Sequence, residues 1–263
     1  MAALFWVLAF ASAVYPSGSE LPADMVVVPE GRYVPFFRGT NDPNEVLVPA
    51  FLLDVHPVTN AEFLEFLRDN PKWRRSQVKR LFADAEYLRT WAGDLEPGTN
   101  VLLNAPVTHV SWFAAKAFAA WKGKRLPTVA EWEYAAAASA NRADGENDPE
   151  FTRAIRRWYS TPSPGALSPV GQGQANLYGA YDLHGLVWEW VADFSTAMVS
   201  GDARGDTGLD RQLFCASGSE AVKDRANFPT FMRFGFRSSL KASYTVHNLG
   251  FRCARNLKET NHE

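Results

Sequence analysis

Between residues 140 and 235 the chain shows no sustained period of 2 or 3.6 and is rich in Gly, Pro, Asn and Asp. This stretch reads as loop with short strands. An irregular stretch of that length inside a compact domain is either functional or tied down by an ion. From Met25 to Arg255 there is no linker, internal repeat or charge block, so one domain is expected over 25–256. Nine Trp and 18 Phe suit a core built under long loops, because each aromatic side chain buries a large area.

The regular elements announce themselves earlier. Met25-Val26-Val27-Val28 reads as a strand ending in the Pro29-Glu30-Gly31 turn. Glu45 to Asp54 reads as a second strand, with Pro49 marking an edge or bulge. Thr59 with Glu62 forms a capping box ahead of Phe63, Phe66 and Leu67, and Thr128 with Glu131 forms another directly after Pro127. Between them, Trp112 to Trp121 reads as an alanine-rich helix stopped by Gly123. Glu131 and Glu133 lie two apart on the third helix, so they point to different faces and do not form a catalytic pair.

Composition closes off several function classes. Lys plus Arg is 27 and Asp plus Glu is 29, which lacks the basic footprint of a nucleic-acid binder. The densest basic patch, Lys72-Trp73-Arg74-Arg75 with Lys79-Arg80, reads as a solvated helix face. No apolar run reaches the roughly 18 residues of a membrane-spanning helix. Two cysteines make neither a disulfide scaffold nor a four-cysteine metal site. Within residues 1–20, the apolar run Ala2 to Ala13 ends in Ala-Ser-Ala, like a signal-peptide core and cleavage site. The charged leader is missing, since the first basic residue is Arg32, so a buried strand or helix stays open beside export. Export implies a periplasmic or extracellular location.

Five blocks carry a resemblance. They are Pro57-Val58-Thr59-Asn60-Ala61-Glu62-Phe63; Ala105-Pro106-Val107-Thr108-His109-Val110-Ser111-Trp112; Trp121-Lys122-Gly123-Lys124-Arg125-Leu126-Pro127-Thr128 with Glu131-Trp132-Glu133-Tyr134; Tyr178-Gly179-Ala180-Tyr181-Asp182-Leu183-His184-Gly185 with Val187-Trp188-Glu189-Trp190; and Asn248-Leu249-Gly250-Phe251-Arg252-Cys253-Ala254. In this order they resemble the sulfatase-modifying-factor family, the formylglycine-generating-enzyme-like domains. The resemblance implies an α+β fold: a loop-rich variant of the C-type lectin fold, with a small twisted antiparallel sheet, a few helices and bound calcium. It implies several chemistries as well. Some members oxidise a peptide cysteine with copper held by two cysteines. Others carry iron, mature pyoverdine, serve nitrite-reductase clusters, or have no known catalysis, so the family alone does not fix the function.

The resemblance places the two copper-cysteine positions on Asp224 and Pro229, and the segment from Glu220 to Arg233 contains no cysteine. Thiolate copper needs two soft sulfurs close together, so the usual formylglycine chemistry is not expected and copper is disfavoured. Cys215 precedes the Ser217-Gly218-Ser219 segment. It forms a disulfide with Cys253, or both stay buried thiols, or Cys215 is reactive or metal-binding; in relatives the partner of Cys253 lies where this chain has Ala119. His56, His109, His184, His247 and His262 are scattered; His56 and His109 read as structural. An iron-like site of His109 or His247 with a carboxylate stays open. The resemblance maps a calcium site onto Asp182, Gly185, Val187 and Glu189, two carboxylates and two carbonyls that suit a hard cation; local caps and ion pairs are the alternative for Asp182 and Glu189. It maps a substrate cleft onto Trp188, Arg237 and Asn248, an aromatic wall with a guanidinium and an amide that suits a peptide or an anionic small molecule. Trp188 as core and Arg237 as a support for loop carbonyls is the competing account.

The expectation for the whole chain is an exported accessory or maturation protein that acts on a protein or cofactor partner. Val34-Pro35-Phe36-Phe37-Arg38 and Phe236-Arg237-Ser238-Ser239-Leu240-Lys241-Ala242 give it the flavour of the nitrite-reductase-cluster type. An oxidoreductase with a non-cysteine metal site, similar to the pyoverdine-maturation members, and a calcium-stabilised lectin-like binding module are the alternatives.

Overall fold

The computed structural model of the chain describes residues 21–36, 43–161, 165–195 and 228–257. The apolar segment 1–20, Cys215, the Ser217–Ser219 segment, Asp224 and His262 lie outside them. Strand β1 (Met25–Val28) pairs antiparallel with β4 (Phe51–Asp54), and β4 pairs antiparallel with β7 (Ala254–Asn256). All four residues of β4 are buried, as befits the centre of the sheet. A hairpin of β2 (Gly31–Tyr33) and β3 (Val46–Val48) and a parallel pair of β5 (Trp188–Trp190) and β6 (Leu249–Phe251) complete the strands among the described residues. The single strand expected over 45–54 is two: the chain changes partner at Pro49-Ala50, where proline has no N–H to give a ladder.

Helix α1 (Asn60–Asp69) and α3 (Val129–Ala136) both open on complete capping boxes, Thr59 with Glu62 and Thr128 with Glu131. Helix α2 (Trp112–Trp121) is capped by Ser111 and ends before Gly123, whose φ of +66° favours glycine. Phe63 and Phe66 of α1 meet Phe118 of α2 at 5.8 and 5.6 Å, and Phe118 meets Phe251 of β6 edge-on at 5.3 Å. This aromatic packing ties the helices to the last family-like block. Helix α3 runs close over the hairpin: a Cβ at Gly31 would fall 2.0 Å from Tyr134 Oη.

Two readings need correction. Residues 72–80 are not a helix face but a 3-10 turn (Pro71–Trp73) and further turns. Trp73 is buried, Arg74 Nε donates to Leu67 O at 3.1 Å, and Arg75 Nη1 donates to Trp91 O at 2.6 Å. Among its described residues the stretch 140–235 holds the helix α4 (Pro149–Ser160) and the start of α5 (Phe228–Ser238). Asp148 caps α4 by accepting from the Glu150 and Phe151 amides, and Pro149 supplies a preset φ in its first turn. Among the described residues no helix is long and apolar enough to cross a membrane.

Candidate functional site

The site grows from the side of α3 opposite its capping glutamate. Glu131 closes the cap and takes Arg125 in a two-pronged ion pair, at 2.7 and 2.6 Å. Glu133 points the other way, is buried, and meets α5. Arg233 gives it Nε at 2.9 Å and Nη2 at 2.6 Å, and Arg237 gives it Nη1 at 2.5 Å. Arg233 also donates to Tyr159 Oη of α4 at 3.1 Å, so one guanidinium links α3, α4 and α5. Burial alone would raise the Glu133 carboxyl, but the two guanidinium charges outweigh it and hold the carboxyl down at about 2. Among the described residues, two cations on one carboxylate leave the cluster with a surplus positive charge.

Trp132 lies beneath both arginines, whose guanidinium carbons sit 5.5 and 4.9 Å from its ring. Its indole Nε1 donates to Glu189 at 2.7 Å. Glu189 in turn is clasped by Arg252 Nε and Nη2 at 2.8 Å each, in an ion pair with no exposed side-chain surface on either partner. Above this charged floor stands an aromatic wall. Trp188 stacks near Phe236 at 4.5 Å and meets Tyr159 and Trp158 at 5.4 and 5.7 Å. Trp132, Trp158, Tyr159, Trp188, Arg233 and Arg237 line one narrow cleft of about 10 Å³, room for about one water.

Trp188 and Arg237, expected together, are together. Arg237 is only 4% exposed and anchored on Glu133, so it serves the fold as well as the cleft. Asn248 reaches the site through its backbone, where its carbonyl accepts the Trp188 N–H at 2.8 Å, and it is not among the cleft-lining residues. The four residues expected to hold calcium divide between two cavities. Val187 and Glu189 line the cleft, while Asp182 and Gly185 line a separate cavity beneath α4. Glu189 takes donors on both oxygens from Arg252 and Trp132. Asp182 has a φ of +58° and accepts the Gly171 N–H at 2.6 Å.

Cys253 is fully buried; its N–H donates to Asp54 at 2.7 Å, and burial pushes its thiol well up, the opposite of a reactive thiolate. Ala119 is likewise fully buried. His56 Nδ1 lies 3.1 Å from Pro57 O. His109 has a φ of +56°, is 7% exposed, and shares a cavity with His247, Glu86 and Arg89. Burial, then His247, pushes its imidazole down, and among the described residues no three His, Cys, Asp or Glu side chains are placed to hold a metal.

Glu133, Arg233, Tyr159 and Arg252 are the site residues that sequence reading missed. Arg233 and Arg237 stand four apart, the spacing that puts two side chains on one helix face, so their pairing was available once α5 was recognised.

Residues 11–257 match the model of the sulfatase-modifying factor enzyme 1-like domain. The chain belongs to the sulfatase-modifying-factor family. It is 31% identical to the inactive C-alpha-formylglycine-generating enzyme 2 of Bos taurus, over 90% of this chain and 89% of that protein. It is 28% identical to the formylglycine-generating enzyme of Bos taurus, over 89% of this chain and 75% of that one. The solved structure of PvdO from Pseudomonas aeruginosa superposes with a TM-score of 0.51 at 22% identity, covering 89% of this chain and 94% of that one. The α+β, loop-rich family fold is thus shared, as the five blocks implied.

Proposed function

We propose that this family member is an exported accessory or maturation protein whose cleft binds a negatively charged or peptide group of a protein or cofactor partner, without copper–thiolate oxidation. The surplus cation carries the reading: Arg233 and Arg237 share the single carboxylate of Glu133 below an aromatic wall, and the cleft of about 10 Å³ has to open for a group larger than one water to reach them. Such a floor complements an anionic group, and the wall supplies apolar contact. The absence of cysteine from Glu220 to Arg233 argues against copper. The relatedness to an enzyme named inactive supports the same view. The nitrite-reductase-cluster flavour and the periplasmic or extracellular location belong to this proposal and rest on sequence features alone.

Calcium on the 182–189 loop is a proposal apart from the cleft. The protein oxygens would be those of Asp182, Gly185, Val187 and Glu189, and water would complete the six to eight that calcium takes. Elemental analysis of the purified chain tests both statements. Copper and iron are expected below one atom per chain, and stoichiometric amounts of either would favour an oxidoreductase instead. Calcium at one per chain, lost in Asp182→Ala, supports the loop site; calcium at background removes it.

A further inference from the structure

Between the start of α1 and the loop 165–167 lies a cavity of about 190 Å³ that shares no lining residue with the cleft. Asn60 of α1 builds its wall. Its amide Nδ2 donates to Leu102 O and Ala105 O at 3.0 Å each, and its Oδ1 accepts from Trp91 Nε1 at 3.3 Å. The backbone of 102–105 is thereby fixed, and Val101, Leu102, Ala105, Pro106 and Leu167 give the cavity an apolar side. Past Thr90 and His247 the cavity opens toward the ion pair of Glu86 and Arg89.

Two polar side chains meet this cavity with nothing to bond. Thr108 and His109 both line it, and each is only 7% exposed. Among the described residues neither the Thr108 hydroxyl nor the His109 ring has a hydrogen-bond partner. His109 Nδ1 is sealed from solvent; Nε2 and the Thr108 hydroxyl are not, and the cavity is where they are reached. The His109 backbone is held at a φ of +56° by two hydrogen bonds, its N–H to Val246 O at 3.1 Å and its carbonyl from Leu88 N–H at 2.9 Å. Residues held in this uncommon conformation cluster at ligand sites. Burial, then His247, pushes the ring down, so it is neutral near pH 7, and Arg89 is engaged by Glu86. With no partner at Nδ1, the ring proton can sit on either nitrogen. Ring and hydroxyl together can therefore give one hydrogen bond and take one, both uncharged.

We propose that this cavity binds a neutral primary amide on a short aliphatic chain. A carboxamide carries the matching pair, a carbonyl that accepts and an N–H that donates, so it satisfies Thr108 and His109 at once. The chain lies against Val101, Leu102 and Leu167. The volume is below that of most small-molecule pockets, which limits the ligand to a short one.

The test is an NMR titration of the full chain, isotope-labelled at the histidine nitrogens, in chelator-containing buffer that keeps the imidazoles free of metal. The probes are isovaleramide, its charged counterpart isovalerate, methyl isobutyl ketone, which lacks the N–H, and an end-capped peptide with one glutamine. Saturable binding of the amide is expected, with the His109 ring-nitrogen signals moving as it binds. The ketone and isovalerate should bind about tenfold more weakly, and Thr108→Val should weaken the amide about tenfold, as for one lost hydrogen bond. Valine keeps the shape of threonine, and the His109 signals of the parent chain give a reading that needs no variant. Binding of the peptide alone puts the amide on a partner's side chain; binding of isovaleramide alone marks a small metabolite. Binding of neither, His109 signals that stay still, a ketone or isovalerate equal to the amide, or an affinity unchanged in Thr108→Val would overturn the proposal.

Discussion

Arg252→Ala should cost the fold about 3–5 kcal/mol, the range for breaking a buried ion pair by removing one partner. Neither side chain of the Arg252–Glu189 pair has exposed surface. The loss goes beyond one contact. Arg252 Nη2 also donates to Tyr181 O at 2.8 Å and Nη1 to Asp54 O at 3.2 Å, so β4, the loop at Tyr181 and β5 are joined through one guanidinium. Without it, Glu189 stays buried with only the Trp132 indole as donor, and two carbonyls lose theirs. Urea unfolding measures the cost. A double variant, Arg252→Met with Glu189→Gln, should recover part of it, because no charge is then stranded. A cost under about 1 kcal/mol for Arg252→Ala would mean that the pair does not hold the site.

Glu133→Gln should be similarly costly near neutral pH, about 3–5 kcal/mol, since it leaves Arg233 and Arg237 buried without their carboxylate. It also has a pH signature. The folded carboxyl sits at about 2, against an ordinary 4.5. A carboxyl depressed on folding stabilises above its unfolded value, and that stabilisation is lost as pH falls through the folded one. The wild-type protein should therefore lose stability between about pH 4.5 and 2 from this group, and the wild-type and Glu133→Gln curves should draw together across that window. Chemical denaturation at several pH values reads the difference. Parallel curves across the window would show that the cluster does not hold Glu133 ionised.

Local signals predicted local structure well. Both capping boxes, the Ser111-capped helix and the first strand stand where side-chain chemistry places them, because a cap is decided within four residues. Helix α4 was equally legible: Asp148 and Pro149 announce its start, and Phe151, Ile155 and Trp158 keep its period. Its flanks, rich in Gly, Asn, Asp and Pro, hid it. The break at Pro49 was seen as an irregularity, but the exchange of strand partners there depends on β1, β2 and β7. The site was legible in part. Trp188 and Arg237 followed from the family resemblance and do share a cleft. Glu133 was set aside because its helix neighbour faces elsewhere, yet its partners lie 100 and 104 residues away. Glu189 was read as an ion ligand or as the member of a local ion pair, and the partner it meets, Arg252, is 63 residues on. No spacing rule along the chain reports such long-range pairs.

Whether the cleft binds or oxidises is read most directly by incubating the purified chain with copper and a sulfatase-type cysteine peptide and following the peptide's mass. The peptide should remain unconverted, in the parent chain and in Cys215→Ser alike, because no second cysteine accompanies Cys215 and Cys253 is buried with its thiol held protonated. Copper-dependent conversion of the cysteine to an aldehyde, lost in Cys215→Ser, would contradict this account and return the chain to the formylglycine-generating members of its family.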